Sequence, residues 1–445
     1  MTATVRPVSF SALGRWDAKA AFASRSTGPA VVPFGELARR RREPHEGGLR
    51  YGSIHFDGSI TLRDASIKLV GKTWVARPGD LVFSKIDARN GAIGVVPEHV
   101  GELAFSSEFV VYEIDTERLA REFVALLLRT RTVLAHLDSL AVGHSGRKRL
   151  SPQAFEGLTI RSFALPEQQR IAGEHRMLRA KAAEYRAEAG SLVPAAAGNV
   201  LQELGVDYVR PTSPPLAFAI PHASTRGWTP RKSAVVLQGV DADLRAAYPV
   251  AKLDDVADLQ RGVSKSPRNR PGTHATPYIR VANVQPGIVD LTDVQHIDVP
   301  PQRLDAVRLV EGDVLVCRNN SLEWVGKAAL WKGEIDPCAH DDHVFVVRCK
   351  RSRLLPEFLN AYLQTDFARA WFISEAQITT NLAGISGNAV TGLPIPLPPL
   401  PLQQALGERY DEARRKAAAL LAEAQALETA AADAVEAALR TPTSR

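Results

Sequence analysis

Leu165-Pro166-Glu167-Gln168-Gln169 opens a long alanine-rich heptad run, and Leu400-Pro401-Leu402-Gln403-Gln404 opens another, 235 positions later. Working outward, two further words keep that offset: Arg121-Glu122-Phe123 matches Pro356-Glu357-Phe358, and Gly157-Leu158-Thr159-Ile160 matches Gly392-Leu393-Pro394-Ile395. Three matches at one offset describe a tandem duplication. A chain ordered module–helix–module–helix performs one task twice at a fixed separation.

The heptads define the helices. Ile171, Leu178, Tyr185 and Leu192 recur every seven residues, with Ala182, Ala189 and Ala196 on a second seam. Leu406, Ala413, Leu420 and Leu427 repeat the first seam, and Tyr410, Ala417, Ala424, Ala431 and Ala438 the second. Such a/d patterning predicts a coiled coil, and alanine on one seam suits a closely packed antiparallel pair. Pro194 predicts a kink or break in the first helix, because proline removes an intrahelical donor and crowds the preceding turn.

Ahead of each helix the chain is rich in β words. Val31-Val32-Pro33-Phe34, Ile54-His55-Phe56, Ile60-Thr61-Leu62, Asp80-Leu81-Val82-Phe83 and Phe109-Val110-Val111-Tyr112 are parted by Gly, Pro and Asp. Helical spacing returns between Arg121 and Leu140. Gly79-Asp80 and Gly312-Asp313 each predict a tight turn entering a strand, with Lys85 or Arg318 five positions after the Asp. The expected fold class is α+β: two duplicated sheet-rich modules separated by two long antiparallel coiled-coil helices, with pseudo-twofold symmetry. The expected domains are residues 1–165, a spacer helix 166–205, residues 206–400 and a second spacer helix 401–440.

Composition bounds the partners. Net charge is +6 over 445 residues, a mild basic bias compatible with a polyanion. The N-terminal residues lack a signal-peptide core, and no apolar run is long enough to span a bilayer, so a cytoplasmic protein without membrane contact is expected. Cys317, Cys338 and Cys349 form no disulfide framework. Helices of about 36 residues would be about 54 Å long at 1.5 Å per residue. Modules held some 50 Å apart match roughly 15 base pairs of duplex, so two DNA half-sites with an unread gap are a geometric expectation.

The repeated order of Gly-Asp turn, strand, helix, Leu-x-Ile and Leu-Pro-x-Gln-Gln closely resembles the specificity subunit of type I restriction–modification systems. Leu158 to Ala172 carries the sharpest match, and Leu393-Pro394-Ile395-Pro396-Leu397-Pro398-Pro399-Leu400-Pro401 is its degenerate twin, with Leu402 where the family usually has Glu. The resemblance implies two target-recognition domains, each reading half of a bipartite target in double-stranded DNA. It implies docking of two methyltransferase subunits on the helices, and of translocase–nuclease subunits for cleavage. It further implies that this chain is not itself an enzyme and carries no cofactor, S-adenosylmethionine belonging to the methyltransferase.

No Asn-Pro-Pro-aromatic, Asp-Pro-Pro-Tyr or Walker phosphate-loop word occurs. Cys338-Ala339-His340-Asp341-Asp342-His343 offers zinc-type ligands, but its spacing fits no common zinc pattern, so no metal site is expected. Arg39-Arg40-Arg41-Arg42, the loop Gly143 to Arg149 with Arg147, Lys148 and Arg149, and the loop Gly262 to Arg270 with Lys265, Arg268 and Arg270 are candidate phosphate contacts. Lys85, Arg89 and Asn90 after the first Gly-Asp strand are candidate base readers, as are Arg318, Asn319 and Asn320 after the second. Gln377 and Asn381 join them, lying where Ala141 to Arg149 lie in the first copy. Two other classes remain open: an adaptor whose duplicated modules bind protein, and an enzyme centred on His340 to His343.

Overall fold

The computed structural model describes residues 31–64, 71–143, 148–208, 244–264, 270–378 and 382–440. The chain divides into two compact units, Met1–Glu184 with Glu423–Arg445, and Tyr185–Ala422. Each unit therefore combines one sheet-rich module with a segment of both long helices.

In the first unit, Ala38–Arg41, Phe109–Ile114, Leu81–Ser84 and Ile93–Val95 form a four-stranded antiparallel sheet in that order. A second sheet runs Ile60–Leu62, Arg50–Ile54, Leu103–Ser106, Thr73–Ala76, with its central pair parallel. Phe34, Phe83, Tyr112 and Phe155 are fully buried and pack ring to ring, at centroid distances from 4.2 Å for Phe83–Phe155 to 6.1 Å for Phe83–Tyr112. The helical stretch after Arg121 is two helices, Arg121–Leu127 and Arg131–Leu140. The division falls at Thr130, whose hydroxyl accepts from the Val133 N–H and caps the second helix.

The second unit repeats this plan. Ala257–Arg261, Val344–Cys349, Val314–Cys317 and Ala328–Leu330 make the antiparallel sheet. Ala275–Ile279 is central to a smaller sheet and again runs parallel to one neighbour, Ala339–His340. Helices Pro356–Leu363, Asp366–Glu375 and Gly387–Thr391 each begin 235 positions after a counterpart, the third after Pro152–Glu156. Thr365 caps its helix as Thr130 does, accepting from the Ala368 N–H.

Both Gly-Asp words are turn closures. Gly79 and Gly312 have φ of 88° and 92°, a region that disfavours side chains. The carboxylate that follows is buried, accepting from the Arg77 N–H in one unit and the Val310 N–H in the other, at 2.8 and 2.9 Å. An arginine clamps each carboxylate with two bonds, but from different strands: Arg41 holds Asp80, and Arg348 holds Asp313.

The first glutamine of each Leu-Pro-x-Gln-Gln word ties the long helix to its module. Gln168 is 2 % exposed; its Oε1 accepts from the Ala120 N–H at 2.8 Å, and its Nε2 donates to the Arg118 and Phe163 carbonyls. Gln403 repeats all three bonds, with the Leu355 N–H and the Arg353 and Pro398 carbonyls. Gln403→Leu leaves the buried Pro398 carbonyl, and the part-buried Leu355 N–H and Arg353 carbonyl, without these partners. It is expected to cost the second unit roughly 3 kcal/mol, read as a lowered denaturation midpoint, whereas Gln404→Leu on the exposed face changes little.

The helices run Leu165–Glu203 and Leu400–Arg440. The first continues through Pro194, so the expected break does not occur. The carbonyl left without a donor belongs to Gly190, an exposed residue on the helix surface. The alanine seam is the more buried one: Ala182, Ala189, Ala417, Ala424 and Ala431 are at most 6 % exposed, while Leu178, Leu192, Leu420 and Leu427 are only half-buried; Ile171 and Leu406 are buried as well, and Ala196 is half-buried. Antiparallel pairing shows within each unit. In the first, Arg179 meets Glu428; in the second, Glu188 meets Lys416 and Glu203 meets Arg409.

Candidate nucleic-acid interface

One edge of each four-stranded sheet gathers the candidate residues. In the first unit Ser84 pairs with Phe109 at the last rung, so Lys85 emerges at that edge. A hairpin docks there: Val142 and Arg149 exchange both backbone bonds, and the Leu150 N–H donates to the Lys85 carbonyl at 2.8 Å. The second unit builds the same device. Gln377 pairs with Gly384, and the Ile385 N–H donates to the Arg318 carbonyl at 2.9 Å. Asn319 and Asn320 pair with Gly384 and Ala383, so Asn319, Gly384 and Gln377 share one register across three short strands.

Side chains in the first unit are brought together by two acids. Arg89 and Lys148 both bond Asp138, at 3.2 and 3.4 Å, and Arg149 meets Glu108 at 3.1 Å. Lys85 donates to the Ser107 carbonyl, and Asn90 to Asp87. Desolvation pushes the Asp138 carboxyl up, but the hydrogen bonds from Arg89 and Lys148 outweigh it and hold the group below its ordinary range. Four cations, Lys85, Arg89, Lys148 and Arg149, against three acids, Asp87, Glu108 and Asp138, leave the edge positive. Sequence reasoning missed Asp138 and Glu108 because nothing local marks a partner 49 positions from Arg89.

In the second unit Arg318 lies over the Phe345 ring at 6.0 Å, and its backbone N–H donates to the His343 carbonyl. The loop beginning at Gly262 leaves the same edge, with the Val263 N–H on the His340 carbonyl and the Ser264 hydroxyl on Asp342. Arg270 is exposed and precedes strand Ala275–Ile279; no described contact brings it to Arg318. Arg147, Lys265, Arg268 and Asn381 lie outside the described residues.

The four-arginine run reads differently in the structure. Arg40 is spent on Glu156 and Arg41 on Asp80, as internal ion pairs, leaving Arg39 and Arg42 exposed. The Cys338 to His343 word also divides. Cys338 and His340 are fully buried, and the His340 Nδ1 meets the Val307 carbonyl at 3.0 Å. Asp341, Asp342 and His343 do gather, their potential ligand atoms within 4.8 Å of one another. Burial pushes His340 down to about 4 and keeps it neutral. Because this folded value lies below the unfolded one, its contribution to stability is present above about pH 6.5 and is lost as pH falls towards 4. The loss is roughly 3 kcal/mol. Amide exchange at Val344–Cys349 should accelerate over that interval in the wild type, and much less in His340→Leu.

No protein-family model matches the chain. Over 162 residues it is 28 % identical to the type I restriction enzyme EcoKI specificity subunit of Escherichia coli strain K12, covering 35 % of this chain and 34 % of that protein. It is 24 % identical over 162 residues to the putative type I restriction enzyme MjaX specificity subunit of Methanocaldococcus jannaschii, covering 36 % and 38 %. The matched region thus spans about a third of the length of these relatives. In fold, the chain matches one solved in work on complex assembly and conformational transition of the type I R-M system, with a TM-score of 0.58 at 17 % identity, over 93 % of this chain and 98 % of that one. Among the described residues no helix is long and apolar enough to cross a membrane. In sequence, then, this chain is similar to the specificity subunits of type I restriction enzymes, the family its duplicated motifs resemble, and in fold it matches a chain from a type I restriction–modification system.

Proposed function

We propose that this chain is the DNA-reading specificity subunit of a type I restriction–modification complex. Each unit reads one half of a bipartite duplex target, and the long helices set the unread gap. The observation that carries this reading is the repeated sheet edge. Two hairpins at one offset dock on the residue after a Gly-Asp strand, one edge rich in Lys and Arg and the other in Arg, Asn and Gln. Guanidinium and amide groups recognise base edges, and lysine and arginine neutralise phosphates.

The chain positions, and its partners perform the chemistry. Two methyltransferase subunits with S-adenosylmethionine would supply methyl transfer, and translocase–nuclease subunits cleavage. The half-buried leucines flanking the alanine seam offer those subunits apolar surface in each unit, with Met177 at 67 % exposure in the first and Leu421 at 49 % in the second.

Salt dependence tests the reading. Wild-type protein should lose duplex affinity steeply as salt rises. Replacing Arg147, Lys148 and Arg149 with alanine should weaken binding to all sequences and lower the log–log salt slope by roughly 2 to 3, about 0.9 for each phosphate that is no longer neutralised. An unchanged slope removes this hairpin from the interface.

A further inference from the structure

We propose that each unit also carries an aromatic contact to nucleobases, Phe56 in the first and Trp324 in the second; this rests on the DNA-reading function proposed above. Phe56 is 62 % exposed and Trp324 44 %, whereas the other described Phe and Trp residues are buried or half-buried.

Neither ring hangs on a loose loop. Phe56 lies in a closed turn, where the His55 N–H donates to the Ser59 carbonyl at 2.9 Å and the Gly58 N–H to the His55 carbonyl at 3.0 Å. Asp57 accepts from both the N–H and the hydroxyl of Ser59. The Phe56 carbonyl packs on Gly91, so closely that a Cβ there would lie 2.3 Å from it. Gly91 closes the turn that holds Arg89 and Asn90, so the ring is anchored beside the positive edge.

In the second unit Gly326 stands 235 positions after Gly91 and also has positive φ, 71° against 100°. By the same offset Trp324 occupies the position of Arg89. Its turn is clamped by Arg369, which donates to the carbonyls of Glu323 and Val325 on either side of the ring. Two positions before the glycine, a cation thus stands in one unit and an aromatic ring in the other, on turns that also carry Lys85 and Asn90 or Arg318, Asn319 and Asn320.

A rigid, exposed ring on or packed against the turn that carries the candidate base and phosphate contacts is the chemistry of base stacking or of a wedge between base steps. Such a ring adds affinity without neutralising a phosphate. Its removal therefore lowers affinity at every salt concentration and leaves the salt slope unchanged.

The test compares wild type, Phe56→Ala, Phe56→Trp, Trp324→Ala and Trp324→Phe, each as full chain, on duplexes of about 40 base pairs selected by the wild-type protein from a random pool. The expected result is a roughly 5- to 100-fold loss for each alanine variant at constant salt slope, with the aromatic replacements within a few-fold of wild type. Melting temperatures should stay near wild type, since both rings are exposed. Wild-type affinity in both alanine variants overturns the proposal and leaves the DNA-reading function standing. So does unchanged DNA affinity with impaired methyltransferase binding, which would make the rings a protein-docking surface. If the wild type itself selects no duplex, the underlying function fails.

Discussion

Exchanging residues 28–160 for the matching module of a relative is expected to change one half of the recognised sequence and leave the other untouched. The first module has its own aromatic core, around Phe34, Phe83, Tyr112 and Phe155. Its candidate base contacts emerge from its own sheet edge. Groups that share no core and no hydrogen-bond network couple weakly, so the altered half should not disturb its companion. The exchange must keep both long helices, because Val435 packs in the same core as Ile171, and Glu436 accepts from the Thr132 N–H and hydroxyl. Mapping methylated adenines in cells that carry the chimera and its methyltransferase reads the outcome. A joint shift of both halves would contradict independent reading.

Adding one heptad to both helices should lengthen the unread gap by about 3 base pairs, since seven residues add about 10 Å. The insertions belong between Ala182 and Ala189 and between Ala417 and Ala424, where the buried alanine seam continues in register on either side. Both half-sites should persist, while modification of the original sites falls almost to nothing. Changed half-sites at an unchanged gap would show that the helices do not set the spacing.

Much of the architecture is legible in the residues because duplication makes every signal appear twice. Gly79-Asp80 and Gly312-Asp313 mark turns whose αL glycine and buried carboxylate are chemically required, and the alanine seams mark the helices. Pro194 misleads because the helix tolerates one missing hydrogen bond at the exposed Gly190. Long-range pairings stay hidden. Arg40 and Arg41 look like phosphate contacts until Glu156 and Asp80 fold onto them, and nothing near Gln168 announces that its amide is spent on Ala120, Arg118 and Phe163. The hairpin offset does predict that Gln377 occupies the place of Val142, and the paired bridges Val142–Arg149 and Gln377–Gly384 match it. Phe56 and Trp324 escape a reading tuned to charge, because only the fold reveals that they are exposed.

Selection of random duplexes by the purified full chain tests the central claim most directly. Two short conserved segments separated by a gap of constant length and free sequence are the predicted result. One contiguous motif, or binding without sequence preference, would contradict it.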